Sequence, residues 1–132
     1  MRTLIVQSNR TLSRRWANQL QTQGVEVCRA TTGAAAMLLV ETDLFDVIVL
    51  DLMLSDGSGL PIADFAEFWQ PDAQVIIVTN TSFFADGSIF RHVGNARAFL
   101  KSDIPPADIA AIAMHYGAVT PDRVARPEMA LG

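Results

Sequence analysis

Cysteine, long apolar runs and clustered positive charge are all scarce in this 132-residue chain. Its single cysteine, Cys28, excludes an internal disulfide and favours a reducing compartment. No run approaches the roughly 20 apolar residues that span a bilayer, and the apolar start at residues 3–6 is too short for a signal peptide. The ten Lys and Arg residues are scattered within a net charge of -4, which argues against nucleic-acid binding. We therefore expect a cytoplasmic protein with no membrane segment and no direct nucleic-acid partner.

What the chain does contain is enough apolar sequence for one packed domain. Half of its residues (50%) are hydrophobic and 18% are charged, a balance typical of a globular core rather than of disorder. Five short runs read as strands, at residues 3–7, 25–28, 47–50, 75–78 and 96–100. Segments with helical periodicity alternate with them, which indicates a parallel sheet with crossover helices.

Each predicted helix has an identifiable start. Asn9 suits the N-cap of the first helix, whose residues Leu12, Trp16 and Leu20 share one face, and Gly24 follows that helix. The second helix is expected to be capped by Thr31 or Thr32. The third is expected to begin at Pro61 and to turn Ile62, Phe65 and Trp69 toward the core.

The last part of the chain completes the pattern. A short helix is expected at 88–93, and Pro105 or Pro106 opens a final helix whose inward face carries Ile109, Ile112, Ala113 and Tyr116. The periodicity stops after Gly117. We therefore expect one domain over residues 1–117 and a C-terminal tail over residues 118–132, with no output domain.

Strict alternation of five strands and five helices predicts a single-domain α/β fold. The expected architecture is a flavodoxin-like (βα)5 doubly wound parallel sheet with strand order 2-1-3-4-5 and right-handed crossovers. In such sheets the functional crevice lies outside the carboxyl ends of the strands. The residues at those ends are Gln7, Ser8, Asp51, Thr79 and Lys101.

One segment carries a specific resemblance. Residues 46–60 read DVIVLDLMLSDGSGL, so an unbroken apolar strand ends at Asp51 and a glycine-rich loop follows. With Thr79 and Lys101 after later strands, the chain resembles the receiver domain of two-component response regulators (CheY-like) over about residues 3–116. The resemblance implies that Asp51 accepts phosphate from a phosphohistidine, that Lys101 stabilises the transferring oxygens, and that Thr79 reports the modification.

The resemblance also implies a cofactor and partners. Receivers bind Mg²⁺, for which the carboxylate of Asp51 and the main-chain carbonyl of Met53 would be ligands. The implied partners are a histidine kinase or a histidine phosphotransfer protein. Many receivers pair through the last helix and fifth strand, which would be the surface for a homodimer here.

The chain departs from the receiver pattern at the end of the first strand. Receivers typically have two adjacent acids there, whereas this chain has Gln7 and Ser8. These residues could touch a bound ion only through water, so we expect Mg²⁺ binding to be weak or absent. Without the acids, Asp51 and Lys101 could instead neutralise each other as an inert ion pair.

A second departure concerns the fifth strand. Phe99 stands one residue after the place where receivers usually have an aromatic, and one step along a strand changes the face. Either the strand carries a one-residue irregularity or the coupled threonine–aromatic switch is missing.

Two functions remain open on the sequence. The first is a stand-alone phosphorelay receiver with impaired metal binding, whose only enzymatic chemistry is self-phosphorylation and dephosphorylation at Asp51. The alternative is a phosphorylation-independent pseudo-receiver that acts as a protein interaction module. A flavodoxin-type cofactor binder is disfavoured, because residues 7–11 contain no glycine for a phosphate-binding loop.

Overall fold

A computed structural model describes residues 1–79 and 96–118 of the chain. Its strands are β1 (Arg2–Val6), β2 (Glu26–Ala30), β3 (Val47–Asp51), β4 (Met53–Leu54), β5 (Gly57–Ser58), β6 (Gln74–Thr79) and β7 (Ala96–Lys101). Its helices are α1 (Arg10–Gln21), α2 (Gly33–Thr42), α3 (Leu60–Trp69) and α4 (Pro106–Ala118). The helix predicted at 88–93 and all of the predicted tail after Ala118 lie outside the described residues. Within the described ranges, no helix is both long and apolar enough to cross a bilayer.

Five of the strands form one parallel sheet in the order β2-β1-β3-β6-β7. This is the predicted 2-1-3-4-5 order, since the two-residue strands β4 and β5 form a separate hairpin in the loop after β3. Strand β3 lies in the middle of the sheet and all five of its residues are buried. An apolar run buried on both faces is what a central parallel strand requires.

Side chains alternate between two core layers along the central strand. Ile48 and Leu50 face the layer covered by α2 and α3, whereas Val47 and Val49 face the layer covered by α1 and α4. This alternation follows from the two-residue period of a strand. The sheet is therefore covered on both faces, and its functional edge is left at the strand ends.

The predicted starts of the four helices within the described residues are confirmed. The Asn9 side chain accepts a hydrogen bond from the Leu12 N–H (3.0 Å), and Thr32 accepts one from the Ala35 N–H (3.1 Å). Pro61 lies in the first turn of α3, where its missing N–H costs no helical hydrogen bond. The N-cap of α1 matters for the site, because it fixes the chain directly after β1.

The prediction that Trp69 faces the core is wrong. Trp69 is 44% exposed and the adjacent Phe68 is 78% exposed, although Ile62 is buried as expected. The next residue, Gln70, turns inward instead: its side chain accepts from the Phe45 N–H (2.8 Å) and donates to the main chain of α2. Because a buried amide takes the interior place at the end of α3, the indole is left outside.

Strand β7 contains the one-residue irregularity that the position of Phe99 suggested. Val75 pairs with Ala96, and Ile76 pairs with Ala98, so Arg97 is an extra residue in the ladder. An extra residue of this kind changes which face the following side chains take. Phe99 consequently packs in the core layer under α2 and α3.

Candidate functional site

Three of the predicted site residues lie at the ends of neighbouring strands. Asp51 ends β3, Thr79 ends β6 and Lys101 ends β7. Asp51 is in register with Val78, and Thr79 is in register with Lys101. Adjacent strands are about 4.8 Å apart, so these ends lie along one edge of the sheet. We call Gln7, Ser8, Asp51, Thr79 and Lys101 the Asp51 site; their chemical roles stay predictions.

The carboxylate of Asp51 is buried and held by two N–H groups. Asp51 as a whole residue is only 7% exposed. One oxygen accepts from the Gln7 side-chain amide (2.6 Å) and the other accepts from the Met53 main-chain N–H (2.7 Å). Burial raises the pKa of the Asp51 carboxyl above its usual value, and the hydrogen bonds from Met53 and Gln7 partly offset that rise. The carboxylate is therefore fixed in direction but poorly solvated.

The amide of Gln7 has a defined orientation. Its oxygen accepts from the Asn9 main-chain N–H (3.0 Å), and its nitrogen is the atom that donates to Asp51. The side chain is 3% exposed. The sequence identified Gln7 as a residue at a position usually held by an acid, but it gave no sign that the amide would bind Asp51 directly.

Ser8 is engaged away from Asp51. Its hydroxyl lies 2.6 Å from the Thr31 main-chain oxygen, to which it donates, and it accepts from the Ser55 N–H (2.8 Å). These contacts join the end of β1 to the loop before α2 and to the loop after β3. The hydroxyl therefore acts as a connection between loops in this structure.

Lys101 forms no ion pair with Asp51, and the Thr79 hydroxyl forms no hydrogen bond with it. Lys101 is exposed, and within residues 1–79 and 96–118 both ion pairs shorter than 4 Å belong to Arg2, not to Lys101. The inert Asp51–Lys101 ion pair considered from the sequence is therefore not formed. Thr79 is 1% exposed, and its hydroxyl has no hydrogen-bond partner among the described residues.

Two residues of the loop after β3 shape the site and were not singled out from the sequence. Asp56 accepts from the first N–H groups of α2, those of Gly33 (2.8 Å) and Ala34 (3.1 Å), which lowers the pKa of its carboxyl. Gly59 packs so closely that a Cβ there would collide with the main-chain oxygen of Asp51. Asp56 therefore holds the loop against the start of α2, and Gly59 packs the end of the loop against the Asp51 main chain.

The side chains of the Asp51 site do not fit a divalent cation well. Mg²⁺ prefers oxygen ligands in an octahedral arrangement and usually takes one or two carboxylates. Here the Gln7 amide presents its N–H to Asp51, and Ser8 is bonded elsewhere. The part of the chain that the structure describes contains no cluster of three or more acidic, histidine or cysteine side chains that could hold a metal.

The chain is similar in sequence to a known regulatory protein. It is 27% identical over 118 residues to the photosynthetic apparatus regulatory protein RegA of Rhodovulum sulfidophilum. The match covers 89% of this chain and 64% of RegA, so the chain spans less than two thirds of that relative.

Solved structures share the fold. A CheY-like response regulator receiver domain protein from Methanospirillum hungatei JF-1 superposes with a TM-score of 0.82 at 22% identity, covering 92% of this chain and 97% of that one. A response regulator from Burkholderia pseudomallei, with a phosphorylated aspartic acid, a calcium ion and citrate, gives 0.73 at 22% identity over 98% of this chain and 73% of that one.

The family model of the response regulator receiver domain matches residues 3–112, most of the chain. Receiver domains generally act in signalling rather than in catalysis. They typically interact with histidine kinases or phosphotransfer proteins and bind Mg²⁺ at the phosphorylation site. This match, the sheet order and the strand-end position of Asp51 agree, and the chain belongs to the response regulator receiver domain family.

Proposed function

We propose that this chain is a receiver domain of a phosphorelay in which Asp51 accepts a phosphoryl group from a phosphohistidine partner. The observation that carries the proposal is the geometry of the carboxylate at the end of the central strand. Asp51 is held in place by N–H donors, yet it is not neutralised by Lys101 among the described residues. A fixed carboxylate without a neutralising partner is suited to nucleophilic attack.

In the proposed phosphoryl transfer, one bond to phosphorus forms and one breaks. A carboxylate oxygen of Asp51 forms a bond to phosphorus while the bond from phosphorus to the histidine nitrogen breaks, leaving an acyl phosphate and a neutral imidazole after protonation. Lys101 supplies a cation on the same edge of the sheet, which would stabilise the phosphoryl oxygens. The buried hydroxyl of Thr79 has no competing partner in the described part of the chain and is available to donate to the new group.

The comparisons supply context for this proposal. The Burkholderia pseudomallei response regulator carries a phosphorylated aspartic acid on the same fold. For this chain, the partners would be a histidine kinase or a histidine phosphotransfer protein, and the domain would extend over residues 1–117. We place it in the cytoplasm, where a lone cysteine is stable as a thiol. The homodimer surface on the last helix and strand β7 stays a prediction.

The test is phosphorylation by a small donor. The purified chain is incubated with acetyl phosphate, with and without Mg²⁺, and its intact mass is measured. We expect the mass of one phosphoryl group to be added, and the addition to be lost in Asp51→Asn. Asp56→Asn is the matched control, because Asp56 is an acid of the same loop whose oxygens are bonded to α2. An unchanged mass in the wild type would remove the proposal.

A second function is favoured by one contact. The hydrogen bond from Gln7 to Asp51 satisfies the carboxylate without any phosphoryl group. A site satisfied in this way suits a phosphorylation-independent pseudo-receiver that binds protein partners in a single state. In the same experiment, this candidate predicts no mass gain for the wild type under either condition.

A further inference from the structure

We propose that the side-chain amide of Gln7 takes the place of the divalent cation at Asp51, so that this receiver holds its carboxylate without bound metal. The inference builds on the proposed function, because a cation matters at this site only if a phosphoryl group is transferred there. It concerns what replaces the metal, which neither the family match nor the fold specifies.

The first support is the contact itself. The Gln7 amide nitrogen lies 2.6 Å from one oxygen of Asp51, and the Met53 N–H lies 2.7 Å from the other. Each oxygen therefore already has a donor, in a place that is nearly closed to solvent. A cation binding to the Gln7-bonded oxygen would have to displace the amide, whose hydrogen bond to a charged group is among the stronger kinds.

The second support is that the amide cannot simply turn over. The Gln7 oxygen accepts from the Asn9 N–H (3.0 Å) while the nitrogen donates to Asp51. A half-turn would set the amide oxygen against the carboxylate and the amide N–H against another N–H. Both hydrogen bonds would be lost, and the buried oxygen of Asp51 would be left without its donor, which is unfavourable. Gln7 therefore offers a donor to the site, whereas a cation needs an acceptor.

The third support is that nearby oxygens are already committed. Ser8 bridges Thr31 and Ser55, so it is fastened to two other loops. Asp56, an acid in the loop after β3, accepts from two N–H groups of α2. Turning either side chain toward a cation at Asp51 would break these hydrogen bonds.

The fourth support is the charge at this edge of the sheet. Several carboxylates placed together repel one another and favour a cation among them. The Asp51 site instead has a single acid, Asp51, and a lysine, Lys101. A lone carboxylate attracts a divalent ion less strongly than such a group of acids, so an amide donor is sufficient to hold it.

The inference predicts the behaviour of three proteins toward metal alone. Backbone amides of residues 7–10 and 51–55 are followed by NMR during titration with Mg²⁺, and then with Mn²⁺, which broadens nearby signals. For the wild type we expect no selective shift or broadening at millimolar metal. In Gln7→Glu, which adds a carboxylate of nearly the same shape, we expect selective effects and an affinity at least about tenfold higher. Gln7→Leu is the matched control without an acid, and we expect it to resemble the wild type.

Several outcomes would overturn the inference. Selective metal effects in the wild type as strong as those in Gln7→Glu would show that Gln7 does not replace the cation. A folded Gln7→Glu that ignores metal would show that residue 7 does not decide binding. If Gln7→Glu fails to fold, Gln7→Asp tests the same point with a shorter carboxylate at the same position, and a lack of response in that folded variant would count equally against the inference.

The metal titration is independent of the phosphorylation test, because it uses no phosphoryl donor. Metal binding by a wild type that also gains a phosphoryl group would overturn this inference alone. A wild type that neither gains the group nor binds metal would remove the proposed function and leave the structural role of Gln7 intact.

Discussion

Asp56 joins the loop after β3 to the amino end of α2. Both of its oxygens accept N–H groups there, from Gly33 and Ala34. Helix N-termini carry unsatisfied N–H groups and a partial positive charge, so an anion is favourable at this place. Because these N–H groups lower the pKa of Asp56 in the folded state, the ionised form stabilises the fold.

This linkage gives a pH prediction for Asp56→Asn. Stability from a lowered pKa is complete above the pKa of the unfolded chain, about 3.9 for an aspartate, and is lost as the pH falls through the folded-state value. We therefore expect Asp56→Asn to melt at a lower temperature than the wild type at pH 7, with a difference that shrinks below about pH 4. Thermal unfolding by circular dichroism across pH measures it.

The matched control is Asp64→Asn, an exposed acid on α3. We expect only a small difference in melting temperature for this variant, because the side chain is exposed. The pKa of Asp51 is shifted in the opposite direction, but Asp51 is present in all of the compared proteins. Its contribution to the difference in melting temperature therefore cancels. An Asp56→Asn deficit that stays constant from neutral to acid pH would contradict the prediction.

At the residue scale, the sequence predicted where the site residues lie along the chain better than it predicted which atoms they contact. The run that ends at Asp51 and the absence of an acid at residue 7 are both visible in the chain. The direction of the Gln7 amide is not visible in the sequence. It depends on the Asn9 N–H and the Asp51 oxygen, which only the folded backbone brings together. Thr79 was found as a strand-end residue, but only the structure shows that its hydroxyl has no hydrogen-bond partner among the described residues.

At the scale of elements, the Gln70 side chain links the end of α3 to α2 and to the segment that leads into β3. This buried side chain lies directly after α3, accepts from the Phe45 N–H and donates to the Val40 oxygen at the end of α2 (2.7 Å). Buried main-chain polar groups need such partners. The contacts close the end of the domain opposite the Asp51 site.

We expect Gln70→Leu to lower the free energy of unfolding by about 2–4 kcal/mol, because it removes the buried hydrogen bonds that Gln70 makes with the Phe45 N–H and the Val40 C=O. Urea denaturation measures the change. Gln21→Leu, at an exposed position at the end of α1, is the control and should change stability by less than about 0.5 kcal/mol. Equal effects of the two substitutions would show that Gln70 does not hold these elements together.

Elements with strong local signals were predictable, and those decided by tertiary packing were not. Asn9 and Pro61 place their helices by local capping and φ preferences, which the sequence contains. Trp69 was assigned to the core by helical spacing, but the buried Gln70 took the interior position. The β4–β5 hairpin consists of two-residue strands, too short for a periodic pattern to indicate.

At the scale of the whole molecule, one sheet connects two core layers. Leu20 of α1 is buried in the layer on one face, and Ile62 of α3 is buried in the layer on the other. The central strands contribute side chains to both layers. Neither layer can lose its packing without exposing strands that the other also needs, so the described parts of the domain should unfold as a unit.

We predict that Leu20→Ala and Ile62→Ala each destabilise the protein by about 2–5 kcal/mol and keep a single unfolding transition. Far-ultraviolet circular dichroism and tryptophan fluorescence should give coincident curves for both variants. Leu38→Ala, at a leucine that is 66% exposed, is the control and should have little effect. Two separate transitions in either core variant would show that the layers fold independently.

The fixed amide of Gln7 also bears on how this domain can change by mutation. The codons of glutamine and glutamate differ only in their first base, so a carboxylate at this position is a single transversion away. We therefore expect a library of random point variants of the gene to contain Gln7→Glu, the variant for which we expect a response to metal. Screening that library for clones whose heat resistance rises with added magnesium should recover it without any design.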